Sequence, residues 1–273
     1  MQNQGFFMSD QRPIGIFDSG VGGLTVASAI AKHLPQESFI YFGDSRHAPY
    51  GDKSKSTIIE YSRRIANFLV EQNCKAIVIA CNSASAAAFN ALCQDFPDLP
   101  ILNVVDPTVN ALVEMNASKV GIIATRATTR SAVYTHKIKA LDPNLEVAQK
   151  ATPLLAPLVE EGFAGTSVSK GALDHYLSHS SLKNLSHLVL GCTHYPLLKS
   201  EVENYFGSEV AVLDSAHLVA LALEKLLEER GLLKANGSAQ QAFYVSEKTA
   251  AFTKVAKLFF GGEIQLKEKV LSA

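Results

Sequence analysis

Ala76-Ile77-Val78-Ile79-Ala80-Cys81-Asn82-Ser83-Ala84-Ser85 is the stretch on which the fold turns. Its opening apolar run, rich in β-branched residues, reads as a buried strand. The run stops at a cysteine followed by small and hydroxyl residues, and an Ala-rich segment of helical character takes over. A thiol is thereby placed at the carboxyl end of a strand and near a helix N-terminus, where N–H groups and the helix dipole favour an anion. Such a setting predicts a thiol pKa below the free value of about 8.5 and an available thiolate. Leu188-Val189-Leu190-Gly191-Cys192-Thr193-His194-Tyr195-Pro196 repeats the pattern: an apolar run, a cysteine, a hydroxyl residue and an expected helix. Two halves, each presenting one thiol, follow from that repetition.

The 273 residues suffice for one large or two modest domains. Apolar residues make up 47% and charged residues 19%, as in ordinary water-soluble globular chains. A net charge of −1 gives no electrostatic reason to expect nucleic acid or a membrane surface as partner. No run approaches the ~18 apolar residues of a membrane span. Residues 1–12 are polar, without the basic start and apolar core of a signal peptide, and read as a frayed tail. The expected compartment is the cytoplasm. Cys74, Cys81, Cys93 and Cys192 are too scattered for a zinc knuckle, and no Cys-x-x-Cys occurs. Cys74 and Cys93 fall in helix-end contexts and read as packing residues.

Upstream, Pro13 to Phe17 forms a first strand, and Asp18-Ser19-Gly20-Val21-Gly22-Gly23 leads into a helix from about Leu24 to Leu34. The loop invites a dinucleotide reading, but Thr25 stands where the last glycine of G-x-G-x-x-G belongs. A small anion held by the loop's N–H groups fits better. A second strand, Phe39 to Phe42, enters the polar loop Gly43 to Gly51, whose length and composition suggest a working loop. Ser54 to Glu71 is an amphipathic helix with Ile58, Ile59, Ile65, Phe68 and Leu69 on its apolar side. After the Cys81 strand and its helix come a strand at Ile101 to Val105, a helix from Asp106, and a strand at Val120 to Ala124.

Thr125-Arg126-Ala127-Thr128 then follows its strand as Asp18-Ser19 follows the first. Cys81 lies 66 positions after Gly15, and Cys192 lies 71 after Gly121. That spacing supports an internal duplication. Glu160 closes an apolar segment from Pro153; from pattern alone it is a solvated helix end. Later segments predict helices at 166–179, 197–206 and 215–230, strands at 210–213, 243–246 and 264–267, and a helix between the last two strands. Strand–helix alternation argues an α/β protein with mainly parallel sheets. The simplest division pairs 13–107 and 214–273 as one lobe against 108–213 as the other. Ligands of open α/β sheets bind beyond the carboxyl ends of strands, so both cysteines would face a cleft between similar, pseudo-symmetric lobes.

Two opposed thiols suit inversion of a stereocentre that bears an acidic hydrogen. One removes the proton from one side while the other delivers a proton to the opposite side, and the roles exchange in reverse. Asp18 in the first half and His194 in the second are available as polar helpers.

The motifs Gly15-Ile16-Phe17-Asp18-Ser19-Gly20-Val21-Gly22-Gly23-Leu24-Thr25, Ala48-Pro49-Tyr50-Gly51, Ala80-Cys81-Asn82 and Gly191-Cys192-Thr193-His194-Tyr195-Pro196 together resemble those of the glutamate racemase family. They occur in the family's order and span almost the whole chain. The resemblance implies cofactor-independent interconversion of L- and D-glutamate for bacterial peptidoglycan, by a protein that is commonly a homodimer and holds no metal. It implies that Cys81 and Cys192 are the proton donor/acceptor pair, tuned by Asp18, Glu160 and His194. Asp18, Ser19, Tyr50, Gly51, Asn82, Ser83, Thr193, His194 and Thr125 would contact substrate. Ser83 departs from the threonine usual in the family but keeps the hydroxyl. Rival readings are an aspartate racemase of the same superfamily, a cysteine hydrolase using Cys192 or Cys81 with His194, and a metal or small-anion binding module using Cys81, Cys192 and His194.

Overall fold

The computed structural model describes residues 10–234 and 236–272; the expected tail at 1–12 lies mostly outside them. Among the described residues ten strands fall into two sheets. The first holds β1 (Ile14–Asp18), β2 (Phe39–Gly43), β3 (Ala76–Ile79), β4 (Ile101–Asn103), β9 (Gln241–Val245) and β10 (Leu266–Glu268) in the order β10-β9-β2-β1-β3-β4. The second holds β5 (Lys119–Ala124), β6 (Glu146–Ala151), β7 (His187–Gly191) and β8 (Ala211–Asp214) in the order β6-β5-β7-β8. Every ladder is parallel. Counted from its own first strand, each half runs 2-1-3-4, so the two sheets share one topology. β9 and β10 extend only the first.

Parallel strands need helical crossovers that cover both faces, which is why β1, β3 and β7 are continuous apolar runs. Alternate residues of the first sheet feed different cores. Ile14, Ile16 and Val78 join a cluster that reaches Val120, Ile122 and Val189 of the second sheet. Phe17, Ile77 and Ile79 face the helix Lys55–Glu71, where they meet Ile58, Ile65 and Leu69. Ser54 starts that helix by accepting the Thr57 N–H. The helix Ser215–Glu229 packs on both Leu24–His33 and Val105–Glu114, so one apolar body continues from sheet to sheet.

One boundary differs from the sequence reading, and two segments carry elements that the sequence does not announce. β4 ends at Asn103 because the Asn103 side chain accepts the N–H groups of Val105 and Asp106 (2.9 and 3.0 Å) and starts the next helix early. β6 is an edge strand, half-exposed, and its Glu146, Gln149 and Lys150 hide the apolar signal. Residues 126–141 hold two helices, Arg126–Ser131 and Val133–Leu141, divided at Ala132 in the left-handed region (φ 52°).

Candidate active site

In both halves the strand order reverses between the first and third strands, the place where open parallel sheets bind ligands. β1 delivers Asp18 and Ser19 there and β3 delivers Cys81; β5 delivers Thr125 and β7 delivers Cys192. The two sets face each other across one cavity of about 240 Å³, small beside the ~300–1,000 Å³ of drug-sized pockets. Ser19, Tyr50, Gly51, Cys81, Asn82, Ser83, Thr125, Glu160, Cys192, Thr193 and His194 all line it, with Gly20, Ala48, Pro49, Ala156 and Pro157. Both thiols therefore open onto the same space.

The thiols have unlike neighbours. Cys81 is the N-cap of the helix Asn82–Asp95: its Sγ accepts the Ala84 N–H at 3.4 Å and lies 3.6 Å from the Ser19 hydroxyl. Burial pushes this thiol up to about 12, and the Asp18 carboxylate adds to the rise; the Ala84 N–H and the contacts to Ser19 pull the other way and lose. The expected lowering at a helix N-terminus therefore fails for Cys81, because one N–H cannot offset desolvation. Cys192 has no α-helix behind it. A single 3₁₀ turn, Tyr195–Leu198, comes before the helix Lys199–Phe206. What stands beside Cys192 is His194, with Nδ1 3.7 Å from Sγ and Nε2 2.6 Å from Glu160 Oε1. Burial opposes charge on the ring, but the hydrogen bonds to Cys192 and Glu160 and their charges outweigh it and raise His194 to about 10. The ring packs edge-on against Phe259 at 5.2 Å.

Asp18 lies behind the cavity wall, fully buried. Its carboxylate accepts the Gly20 N–H at 2.9 Å and the Thr193 hydroxyl at 3.3 Å, and the Gly23 N–H as well. Burial pushes the carboxyl above its ordinary range, while the His194 charge and these donors hold it back. The small anion expected in the glycine loop is therefore the chain's own Asp18. Gly22 and Gly23 are there for space: a Cβ on Gly22 would lie 2.3 Å from Thr193 Oγ1, and one on Gly23 2.4 Å from Asp18 Cβ.

Tyr50 is a wall whose hydroxyl is already taken: it donates to Asp44 Oδ2 at 2.6 Å, and Asp44 also accepts from Ser246 and pairs with His47. The hydroxyl of Ser83 meets Thr125 Oγ1 at 2.9 Å and Thr128 Oγ1 at 3.4 Å, joining the two halves. Asn82 Oδ1 accepts the Tyr134 hydroxyl at 2.7 Å, whereas Asn82 Nδ2 is buried without a partner. Tyr134 is not legible in the sequence, since it sits in the first turn of the helix Val133–Leu141, in the other half and outside every motif. Among the described residues no three His, Cys, Asp or Glu side chains are grouped to hold a metal ion, and no helix is long and apolar enough to cross a membrane.

A family model described as Asp/Glu/Hydantoin racemase matches residues 24–223. A protein of Geobacter metallireducens named glutamate racemase is 42% identical over 255 residues, covering 93% of this chain and 94% of its own. The crystal structure of glutamate racemase from Francisella tularensis in complex with D-glutamate superposes with a TM-score of 0.90 at 36% identity, covering 96% of this chain and 98% of that one. An aspartate racemase of Picrophilus torridus, 18% identical with a TM-score of 0.59 over 81% of this chain and 99% of its own, shares the fold.

Proposed function

We propose that this chain, which belongs to the Asp/Glu/Hydantoin racemase family and within it stands with the glutamate racemases, interconverts L- and D-glutamate by passing the α-proton between Cys81 and Cys192 without a cofactor. The observation that carries the reading is the shared cavity: equivalent strand ends of two like sheets bring one sulfur each to the same space.

In one direction a thiolate takes the hydrogen from Cα as its bonding pair moves toward the carboxylate. The opposite thiol then gives its own proton to the other face of the planar carbon, and the charge ends on the second sulfur. Each step is general base or acid catalysis, which contributes roughly 10²–10⁴-fold per positioned group. On the Cys192 side the His194 imidazolium, held by Glu160, offers a cation at 3.7 Å. Cys81 has a carboxylate behind it and stays protonated, ready to donate. Ser19, Asn82, Ser83, Thr125 and Thr193 offer hydroxyl, amide and backbone donors for the substrate carboxylates. Asp18 acts from behind the wall, fixing Gly20 and Thr193 rather than touching substrate. By the same reading the lobes divide as 13–107 with 214–273 against 108–213. The protein works as a cytoplasmic homodimer and supplies D-glutamate for peptidoglycan.

Circular dichroism of each glutamate enantiomer, incubated with the purified protein and no additive, tests the activity. Loss of rotation is expected with glutamate and not with aspartate. Cys81→Ala and Cys192→Ala should each abolish turnover in both directions, and Cys→Ser variants in heavy water should treat the enantiomers unequally. Parent-like racemisation by either alanine variant would end the two-base mechanism.

A further inference from the structure

Asn82 combines two facts that separate its ends. Its oxygen is occupied by the Tyr134 hydroxyl at 2.7 Å, and its nitrogen is buried with no acceptor. Both side chains are buried, Tyr134 fully. A buried amide N–H₂ without a partner is costly, and such orphans in folded proteins call for an explanation. Asn82 also lines the cavity next to Cys81, where an acceptor brought by a ligand would meet it.

The geometry points to Tyr134 as a positioning residue for the reaction proposed above: its hydroxyl holds the Asn82 amide so that Nδ2 donates to a carboxylate oxygen of the substrate. A tyrosine hydroxyl has a single proton. Given to Oδ1, it fixes which end of the amide faces Tyr134 and therefore which end is left for the ligand. Without it the amide can turn over and present its oxygen to a carboxylate, a repulsive contact. Tyr134 belongs to the helix Val133–Leu141 and Asn82 to the helix that follows β3, so the orientation is set only when the two halves are docked. One half thus prepares the substrate contact of the other. The identity of the acceptor rests on the glutamate reading, whereas the orientation of the amide does not.

Tyr134→Phe keeps the ring and removes the hydroxyl. It is expected to raise KM for both enantiomers about 3- to 10-fold with kcat nearly unchanged, the range of one lost hydrogen bond. In an Asn82→Ala background the same change should leave KM within about twofold, because the residue it acts through is gone. Equal increases in both backgrounds, or none in the parent, would overturn the inference. Asparagine-selective ¹⁵N labelling reads the amide directly, with its resonance assigned by its absence in Asn82→Ser. In ligand-free protein Tyr134→Phe should shift the Asn82 N–H₂ pair and leave asparagines remote from the cavity in place; an unmoved pair refutes the assignment. If the parent fails to racemise glutamate, the proposed activity falls while this spectrum still decides the role of Tyr134.

Discussion

Gly22→Ala tests how closely the two halves meet at the site. Gly22 is not among the residues with positive φ, so its backbone accepts any side chain and the change acts through contact alone. The new Cβ would lie 2.3 Å from Thr193 Oγ1, 2.6 Å from His194 Nδ1 and 2.7 Å from His194 Cε1, where ordinary contact begins at 3.4 Å, so about 1 Å of room is missing. Neither neighbour is a free side-chain end. Thr193 is tied to Asp18, its backbone carbonyl accepts the Thr25 hydroxyl at 3.1 Å, and His194 is held between Cys192 and Glu160. The displacement therefore passes to the thiol's partner and to the seam. A misplacement of 1 Å at a catalytic group costs on the order of 10²-fold in rate, and crowding a packed site costs about 1–3 kcal/mol of stability. Racemisation of each enantiomer, followed by circular dichroism, should show kcat/KM down about 100-fold in a protein that still melts cooperatively. Activity within about threefold of the parent would refute the tight seam.

Three further outcomes follow. His194 is raised to about 10 from an ordinary 6.5, so its contribution to stability is complete below pH 6.5, falls as pH rises, and is gone above 10; urea midpoints of the parent should therefore drop across that window relative to His194→Gln. Asn103→Ala removes the acceptor for the N–H groups of Val105 and Asp106 and should cost about 1 kcal/mol in chemical denaturation, with KM unchanged. Ser83→Ala breaks the hydroxyl chain to Thr125 and Thr128 and should raise KM roughly 2- to 10-fold, as measured by initial rates.

The parts of the fold legible in the sequence are those where one local rule decides. β1, β3 and β7 are central strands covered on both faces, so their apolar runs stand out, and the cysteines that follow β3 and β7 come with them. β6 was hidden because an edge strand keeps polar residues, and the break at Ala132 leaves no glycine or proline as a marker. Most of the residues that line the shared cavity are legible in the motifs, but their electrostatics are not. The rise of Cys81 comes from burial and from Asp18, both products of tertiary packing. The hydrogen bond from Tyr134 to Asn82 crosses the seam over 52 positions of chain, beyond the reach of any spacing argument.

The unlike surroundings of the two sulfurs have a thermodynamic consequence. Mirror-image amino acids have equal free energy in water, so an isomerase between them works at an equilibrium constant of one, and kcat/KM must be equal in the two directions whatever stands beside each thiol. A histidine–glutamate pair on one side only therefore cannot make the protein a better producer of one enantiomer at equilibrium. It can only divide the same efficiency differently, as faster turnover with weaker saturation one way and slower turnover with tighter saturation the other.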